Sequence, residues 1–360
     1  MKNDTFLLYG AYGYTGELIA RHAGEYGLRP VLAGRDEVRL RTLADRLGFE
    51  YRCLGLDDPA LLDRTLAEFP LVLHCAGPFI RTAKAMLEAC LRTGTHYLDI
   101  TGEIPVFGQA QRRDQRAREA NILLMPGVGF DVVPTDCIAA FLHQALPSAD
   151  RLELAFATVG GGVSHGTASS MLQKLGYPSA ERRNGEIVPA PLGKRTLTVP
   201  FPRKERFVMS IPWGDVFTAY HTTKIPNIVV YTGIAPARYR WIKWLRHFNW
   251  LLRLSLVRKY LQRKIDRRPA GPSDEQRRTA RSLVWGRVQD PDGMSEEARL
   301  QSADGYTLTV QAGLLIVGKV LAGEWKAGYH TPAGLFGPGL VLELPGVQRE
   351  RLVEGEWEPA

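Results

Sequence analysis

A closely spaced glycine triplet near the start of the chain limits the folds that the chain can adopt. The apolar, strand-like segment Thr5–Tyr9 leads directly into the sequence GAYGYTG, after which a helical pattern begins. Such a turn brings bare backbone close to a bound phosphate, and the helix N-terminus supplies N–H donors and positive potential. In this context the triplet predicts a dinucleotide-binding turn. Its predicted cofactor contacts are Gly10, Tyr12, Gly13, Tyr14, Thr15 and Gly16.

Short apolar runs alternate with amphipathic stretches over the first third of the chain. The apolar runs are Phe6–Tyr9, Val31–Ala33, Tyr51–Leu54, Leu71–Cys75, Tyr97–Ile100 and Ile122–Met125. The amphipathic stretches are Thr15–Tyr26, Glu37–Leu47, Pro59–Leu66, Thr82–Arg92 and Val106–Ala120. Buried strands that alternate with helices of this length predict βαβ units and a parallel sheet of Rossmann type.

The remainder of the chain follows a different pattern, which predicts a second domain. Residues 150–235 have the spacing of strands and turns in a mixed or antiparallel sheet. We predict a dinucleotide-binding domain at 1–135 and an inserted α+β substrate or dimerisation domain at 136–304. Residues 305–346 are expected to return to the first domain, and 347–360 are expected to form a tail. The length of 360 residues and the hydrophobic content of 45% suit two globular domains.

The end of the predicted second strand indicates which nucleotide is bound. A domain that binds NAD places Asp or Glu there to accept a hydrogen bond from the ribose 2′-hydroxyl. This chain has Gly34, Arg35 and Asp36. The guanidinium of Arg35 can pair with a 2′-phosphate, and Gly34 leaves room for it. Asp36 is either the acid that binds the ribose or the N-cap of the next helix. We predict NADP in preference to NAD.

A turn of small residues ends the predicted fourth strand. It belongs to the same sheet edge as the glycine turn, over which the nicotinamide half of the nucleotide should extend. The predicted contacts are Ala76, Gly77 and Pro78. The alternative interpretation is a simple strand end with no ligand.

Several motifs together point to a family. They are GAYGYTG, VLAGR, CAGPF, HYLDITGE at 96–103 and GVGFDVVPTD at 127–136. In these motifs the chain resembles the saccharopine dehydrogenase-like oxidoreductases. Further on, SHGTASSM at 164–171, IPNIVVY at 225–231 and GYHTPAGLFGPGLVLELPG at 328–346 are similar to its bacterial trans-acting enoyl reductase branch. The resemblance implies an NADP-binding Rossmann domain and a second domain built on a large sheet.

Three residues are candidates for catalysis. Alternation along a strand places Tyr97 and Asp99 on one face, where Tyr97 can donate a proton, while Asp99 or Glu103 can orient it or bind ribose hydroxyls. The alternative is structural, with Asp99 or Thr101 capping the following helix. His165 follows a glycine run that opens a helix, whose free amides would suit a developing oxyanion. A flexible turn with Thr167 as N-cap explains that segment equally well.

A Tyr-x-x-x-Lys pair at Tyr220 and Lys224 resembles a dehydrogenase motif, but that motif needs a helix to bring both side chains to one face. The window is rich in β-branched residues, and Pro226 follows it, which predicts a strand and a turn. We therefore do not expect this pair to be catalytic. No two histidines stand at i, i+3 or i, i+4 spacing, so we expect no metal site.

The segment Arg238–Arg268 carries most of the excess positive charge. It contains eleven Lys or Arg residues and a single acid, Asp266, in a chain whose net charge is +8. Its apolar residues, which include Trp241, Trp244 and Trp250, have helical spacing. We predict one basic amphipathic helix over 238–268. Such a helix suits an anionic membrane surface, an acidic partner such as an acyl carrier protein, or its own protein core.

Together these features predict an NADPH-dependent reductase of a hydrophobic, acyl- or isoprenoid-like unsaturated or carbonyl substrate. The alternatives are reductive amination of an amino-acid-like substrate and a non-catalytic NADP-binding protein of a membrane surface. A charge excess confined to one segment argues against nucleic acid as a partner. We expect a cytoplasmic protein, with peripheral contact to the inner face of a membrane and a homodimer both left open.

Overall fold

The computed structural model describes residues 4–174, 176, 178–245 and 254–360. The chain divides into two units, the first formed by Met1–Asp131 with Tyr306–Leu335 and the second by Val132–Gly305 with Phe336–Ala360. The segment that returns to the first unit is therefore shorter than the 305–346 drawn from the sequence. Among the described residues, no helix combines the length and the apolar character that crossing a membrane requires.

The first unit is built on a parallel sheet. Its strands are β1 (Thr5–Tyr9), β2 (Arg29–Gly34), β3 (Tyr51–Cys53), β4 (Leu71–His74), β5 (His96–Asp99), β6 (Leu123–Pro126) and β15 (Gly328–Tyr329). Their spatial order among the described residues is β15-β6-β5-β4-β1-β2-β3, and every neighbouring pair is parallel. Apart from β15 this is the Rossmann strand order, with its reversal between β1 and β4. The predicted fold class is confirmed.

Helices follow the strands of this sheet in regular alternation. They are α1 (Tyr14–His22), α2 (Glu37–Leu47), α3 (Pro59–Leu66), α4 (Phe79–Thr93), α5 (Ile104–Gln111), α6 (Asp114–Glu119), α13 (Gly305–Leu321) and α14 (Pro332–Phe336). The side chains of Phe6, Leu7 and Leu8 in β1 are fully buried. Burial on both faces explains why the strands are continuous apolar runs in the sequence.

The second unit contains a mixed sheet. Its strands are β7 (Arg151–Val159), β8 (Ser179–Arg183), β9 (Glu186–Ala190), β10 (Thr196–Phe201), β11 (Lys204–Ser210), β12 (Asn227–Gly233), β13 (Arg281–Gln289), β14 (Ser295–Ala303), β16 (Gln348–Val353) and β17 (Glu356–Pro359). The main path runs β10-β11-β12-β7-β13-β14-β16-β17, with β8 beside β12 and β9 beside β8. Among the described strands of this second sheet, only the pairing of β7 with β12 is parallel.

The helices of the second unit are α7 (Val133–Ala145), α8 (His165–Lys174), α9 (Asp215–Thr223), α10 (Pro236–Leu245), α11 (Ser255–Asp266) and α12 (Asp274–Thr279). Helix α7 packs directly against the sheet at Gly286, where a Cβ atom would lie 2.5 Å from Cγ2 of Ile138. Phe201, Tyr231 and Trp285 belong to the hydrophobic cluster of this sheet.

The structure corrects three expectations about this unit. Residues 347–360 are not a tail, because they contain β16 and β17 at the edge of the sheet. The segment around Tyr220 is the helix α9, and Lys224 ends it in a left-handed conformation at φ 63°. The β-branched residues are accommodated there because Thr223 donates its side-chain hydrogen bond to the carbonyl of Ala219.

The third correction concerns the basic segment 238–268, which is not one continuous helix. Leu254 has an extended backbone, with φ −63° and ψ 133°, and it precedes the first turn of α11. A residue in this conformation interrupts the helical hydrogen-bond ladder. The described part of the segment therefore contains two helices, α10 and α11. Trp250 lies outside the described residues.

Candidate nucleotide site

The glycine turn after β1 packs tightly at the point where the strand order reverses. Gly10 has φ +84°, and a Cβ atom on it would lie 2.7 Å from the backbone nitrogen of Ala76. A Cβ atom on Gly16 would lie 2.4 Å from the carbonyl oxygen of Gly10. Two of the three glycines are thus required by close backbone contacts between β1, α1 and the turn after β4. The predicted neighbours Gly10 and Ala76 are in direct contact.

The N-terminus of α1 is open. Its N-cap is Gly13, which offers no side chain to the first turn. Within the described part of the chain, the amides of Thr15 and Gly16 have no hydrogen-bond acceptor. Unsatisfied N–H groups at the positive end of a helix fit the diphosphate of a dinucleotide.

The adenosine end of the site lies beside the end of β2. A Cβ atom on Gly34 would lie 2.6 Å from Cε1 of Tyr12, so Gly34 makes room for that ring. The guanidinium of Arg39 lies 4.5 Å from the centre of the Tyr12 ring, and its Nη2 donates to the carbonyl of Tyr12 at 3.0 Å. Arg35 is exposed, and no hydrogen bond or ion pair of the described residues involves it. Two guanidinium groups therefore flank this end.

Asp36 serves as the N-cap of α2. Oδ1 of its carboxylate accepts a hydrogen bond from the amide of Arg39 at 3.1 Å, so the structure shows the capping role, one of the two that the sequence left open. Arg39 is a candidate contact that the sequence reasoning missed. The available signal was its spacing, four residues after Arg35 and in the first turn of a predicted helix.

A second helix, α4, also begins at this sheet edge, but its N-terminus is closed. The carboxylate of Glu103 accepts hydrogen bonds from the amides of Phe79 at 3.1 Å and Ile80 at 3.0 Å. Glu103 is buried, with 6% of its surface exposed. The predicted contacts Ala76, Gly77 and Pro78 form the turn that leads into this helix.

Glu103 is held in place by a chain of buried hydrogen bonds that begins in β5. The hydroxyl of Tyr97 donates to Oδ2 of Asp99 at 2.5 Å. Oδ1 of Asp99 accepts from the amides of Thr101 and Gly127, each at 2.9 Å. The hydroxyl oxygen of Thr101 in turn accepts from the amide of Glu103 at 3.1 Å. The hydrogen bonds of the HYLDITGE motif therefore form a ladder, which places the carboxylate of Glu103 at the N-terminus of α4.

Burial dominates the electrostatics of this ladder. Tyr97 and Asp99 are both fully buried. Desolvation raises the pKa of Asp99 to about 7, although its hydrogen bonds from Tyr97, Thr101 and Gly127 act in the opposite direction. Burial and the neighbouring Asp99 carboxyl raise the pKa of Tyr97 well above its usual range. The geometry gives both residues a positioning role, and their catalytic role stays a prediction.

His165 belongs to the second unit, at the start of α8. Its Nε2 lies 2.8 Å from Oδ1 of Asp266, and its amide donates to the carbonyl of Ala270 at 2.9 Å. The amide of Thr167 donates to the hydroxyl oxygen of Ser164 at 3.2 Å. The expectation of free amides is therefore wrong for His165 and Thr167, because local caps already bind them. The catalytic role of His165 stays a prediction.

The strand order and the open N-terminus of α1 are those of a Rossmann dinucleotide-binding domain. Residues 6–125 match the family described as the saccharopine dehydrogenase NADP-binding domain. The resemblance of this part of the chain to that family, which was drawn from its motifs, is confirmed. The match also supports NADP as the nucleotide.

Two relatives and one solved structure extend this comparison. The trans-acting enoyl reductase of Mycobacterium leprae is 35% identical over 140 residues, 36% of this chain and 33% of that protein. The trans-acting enoyl reductase of Mycobacterium ulcerans is 29% identical over 157 residues, 41% of this chain and 38% of that protein. The matched part spans less than half of each relative. Apo saccharopine dehydrogenase (L-Glu forming) from Saccharomyces cerevisiae has a TM-score of 0.68 at 13% identity, covering 98% of this chain and 100% of that chain.

At that identity, the likeness to the yeast structure concerns the fold. The domain family and the names of the relatives indicate the class that the sequence predicted, the NAD(P)-dependent oxidoreductases.

Proposed function

We propose that this protein is an NADPH-dependent reductase of a hydrophobic, acyl- or isoprenoid-like substrate with a carbon–carbon or carbon–oxygen double bond. The specific reaction that we favour is the reduction of an enoyl group, with this protein acting in trans. The names of the relatives support the reaction type. The choice of nucleotide rests on the residues after β2.

One observation carries the preference for NADPH. Asp36 caps α2, and Oδ1 of its carboxylate is already hydrogen-bonded to the amide of Arg39. Arg35 and Arg39 instead offer two cations at the same end of the site. Guanidinium groups bind phosphate through charge-assisted hydrogen bonds, and they repay the cost of bringing a 2′-phosphate out of water.

When bound, the nucleotide would supply a hydride to the substrate. The amides of Thr15 and Gly16 would hold its diphosphate, and its adenosine end would lie beside Tyr12. The ladder that ends at Glu103 satisfies the first two amides of α4 internally, so of the N-termini of α1 and α4 only that of α1 is left to attract an anion.

The preference is tested by measuring binding of NADPH and NADH to Arg35→Ala and Arg39→Ala. Each substitution should weaken NADPH binding by about 10-fold or more relative to NADH, because a hydrogen bond to a charged group contributes roughly 1.5–3 kcal/mol. Arg41→Ala is the matched control, because Arg41 lies on the same helix but pairs with Glu37 and Tyr51. Equal losses for both nucleotides in the first two variants would contradict the proposal.

The reaction is tested by following NADPH oxidation with long-chain enoyl thioesters, hydrophobic ketones, and an oxo acid together with an amine. Turnover of an enoyl or carbonyl compound supports the proposal. Turnover of only the oxo acid with the amine would replace it with reductive amination. Tight NADPH binding without turnover of any compound would favour a protein that uses the nucleotide as a structural ligand.

A further inference from the structure

Helix α11 carries two apolar stripes, although one is sufficient to pack it. Val257, Leu261 and Ile265 follow i, i+4 spacing and are partly buried. Leu256 and Tyr260 form a second stripe and are 79% and 57% exposed. Helices usually confine apolar residues to the face that packs. The second stripe of α11 therefore faces solvent.

The contacts of α11 confirm which side is attached to the protein. Nε2 of Gln262 donates to the hydroxyl oxygen of Ser169 in α8 at 3.1 Å. Asp266 accepts a second hydrogen bond from Gln262 and lies within 2.8 Å of Nε2 of His165, also in α8. Asp266, the single acid of the segment 238–268, is therefore hydrogen-bonded on the side of α11 that contacts α8.

Helix α10 repeats this arrangement with larger side chains. Trp241 and Trp244 are 65% and 59% exposed, and their ring centres lie 6.1 Å apart in an edge-to-face geometry. Tyr239 lies on the attached side, where its hydroxyl donates to the carbonyl of Gly193 at 3.1 Å. Two tryptophans held outward in this way expose a large apolar area. Indole side chains in general favour a boundary between water and an apolar phase, because the ring is apolar and its N–H group is polar.

Cations accompany the outward apolar residues on both helices. Those of the described part of the segment are Arg238, Arg240, Lys243, Arg258, Lys259, Arg263, Lys264, Arg267 and Arg268. The ammonium group of Lys264 lies 4.8 Å from the centre of the Tyr260 ring. Long basic side chains can extend past apolar neighbours to reach anionic headgroups. The combined pattern matches an interfacial helix more closely than a helix of a protein core.

We propose that α10 and α11 form a docking surface for an anionic lipid bilayer. Trp241, Trp244, Leu256 and Tyr260 would enter the headgroup region, and the surrounding cations would pair with lipid phosphates. An acidic protein would satisfy the cations but would not require two neighbouring tryptophans and an exposed leucine stripe. This inference is independent of the reaction proposed above, because docking needs neither nucleotide nor substrate.

Flotation with vesicles tests the proposal on the full chain without nucleotide. The wild type should float with vesicles of phosphatidylcholine and phosphatidylglycerol, should stay behind with pure phosphatidylcholine, and should bind less at high salt. Its tryptophan emission should shift to the blue on binding. Trp241→Ser with Trp244→Ser should weaken binding roughly 10-fold or more, because both rings lose apolar contact. Met294→Ser is the matched control, because Met294 is 65% exposed in the turn between β13 and β14.

A second pair of variants isolates the charge. Lys259→Glu should weaken binding to the anionic vesicles by about fivefold or more, since each cation near such a surface contributes about that factor. Arg112→Glu makes the same charge change at an exposed residue of the first unit and should have no effect. Urea unfolding of each variant checks that the fold is retained.

Three outcomes would overturn the proposal. One is the absence of flotation with either vesicle, and another is equal loss in the variants and their controls. The third is binding to a purified acyl carrier protein that depends on Trp241 and Trp244, without binding to vesicles. Loss of NADPH oxidation alone would instead count against the proposed reaction, because flotation does not require it.

Discussion

Helices α1 and α4 begin at the same edge of the first sheet, yet of these two only α1 presents an open N-terminus. Helix α1 starts at Gly13, which has no side chain, and the amides of Thr15 and Gly16 lack an acceptor within the described residues. Helix α4 starts in the same way after Pro78, but the carboxylate of Glu103 accepts from its first two amides. The two helix ends have the same dipole and the same need for an anion.

The difference shows how a chain directs an anionic ligand to one of two equivalent positions. The protein satisfies one helix end with its own carboxylate and leaves the other for the ligand. A buried carboxylate is costly unless it is fully hydrogen-bonded, and the ladder from Tyr97 through Asp99 and Thr101 fixes the segment that carries it. The predictions below alter each end in turn.

Closing the open N-terminus of α1 should have the largest effect, a loss of NADPH affinity. Gly13→Asp would place a carboxylate at the N-cap of α1, where the extended backbone at φ −73° accepts it. We expect NADPH affinity to fall by about 100-fold or more, because two like charges a few ångströms apart repel by several kcal/mol in this environment. Calorimetric titration measures the loss.

Two variants at the same position separate charge from bulk. Gly13→Ala adds the same Cβ atom, which would lie 3.2 Å from the carbonyl oxygen of Gly10, and Gly13→Asn adds a neutral cap. Both should bind NADPH more tightly than Gly13→Asp. Equal affinities in the three variants would show that the effect is steric and that α1 does not attract an anion.

Removing the acceptor from the N-terminus of α4 should lower the free energy of unfolding. Glu103→Ala leaves the buried amide of Phe79 and the amide of Ile80 without their acceptor, at a cost of about 2 kcal/mol in the free energy of unfolding. Glu103→Gln retains one neutral acceptor and should lose less. Urea denaturation gives both values. An unchanged free energy of unfolding in Glu103→Ala would mean that water replaces the carboxylate without penalty.

The free energy of unfolding should depend on pH through Asp99, which belongs to the ladder that holds Glu103. The pKa of Asp99 in the folded protein is about 7, above the value of about 3.9 in an unfolded chain. The folded state therefore holds the extra proton between these values, and this carboxyl makes the protein less stable as the pH rises from about 4 to about 7. Asp99→Asn should remove that decrease, as measured by urea denaturation across the window. His74, whose pKa burial lowers to about 3, contributes the opposite trend and is unchanged by the substitution.

The smallest effect should come from the cap of α2. Asp36→Ala removes the hydrogen bond to the amide of Arg39 and should cost about 1 kcal/mol in the free energy of unfolding. Asp36→Asn keeps a capping oxygen and should restore most of it. Neither change should improve NADH binding. A variant that bound NADH much more weakly than the wild type would show that Asp36 contacts the ribose after all.

The first unit could be predicted from its sequence almost element by element. Strands buried on both faces need continuous apolar runs, and the helices between them need one apolar face, so local composition indicates each element. Helix α2 occupies the predicted Glu37–Leu47, and β1 differs from the predicted run by one residue. The second unit was less predictable because antiparallel edge strands such as β17 are short, polar and mostly exposed.

Some residues of the candidate site could likewise be predicted from the sequence, and others could not. Gly10, Gly16 and Gly34 were found because bare backbone is visible in a sequence, and each is required by a close contact in the structure. Arg39 was missed because its position depends on how α2 packs beside Tyr12. Glu103 was recognised only as one carboxylate among several, because its partners Phe79 and Ile80 are more than twenty residues away.

By itself the sequence determined the class of the fold, the place of the phosphate-binding turn and the presence of a basic segment rich in tryptophan. These three features depend on patterns only a few residues long. The patterns can be recognised because glycine has its own backbone preferences and because apolar side chains are buried. Only the tertiary structure decided which helix end stays open, which aspartate serves as a cap, and which apolar stripes of α10 and α11 face solvent. Those outcomes depend on hydrogen bonds and packing between segments far apart in the chain, and their distances are set only when the whole unit has folded.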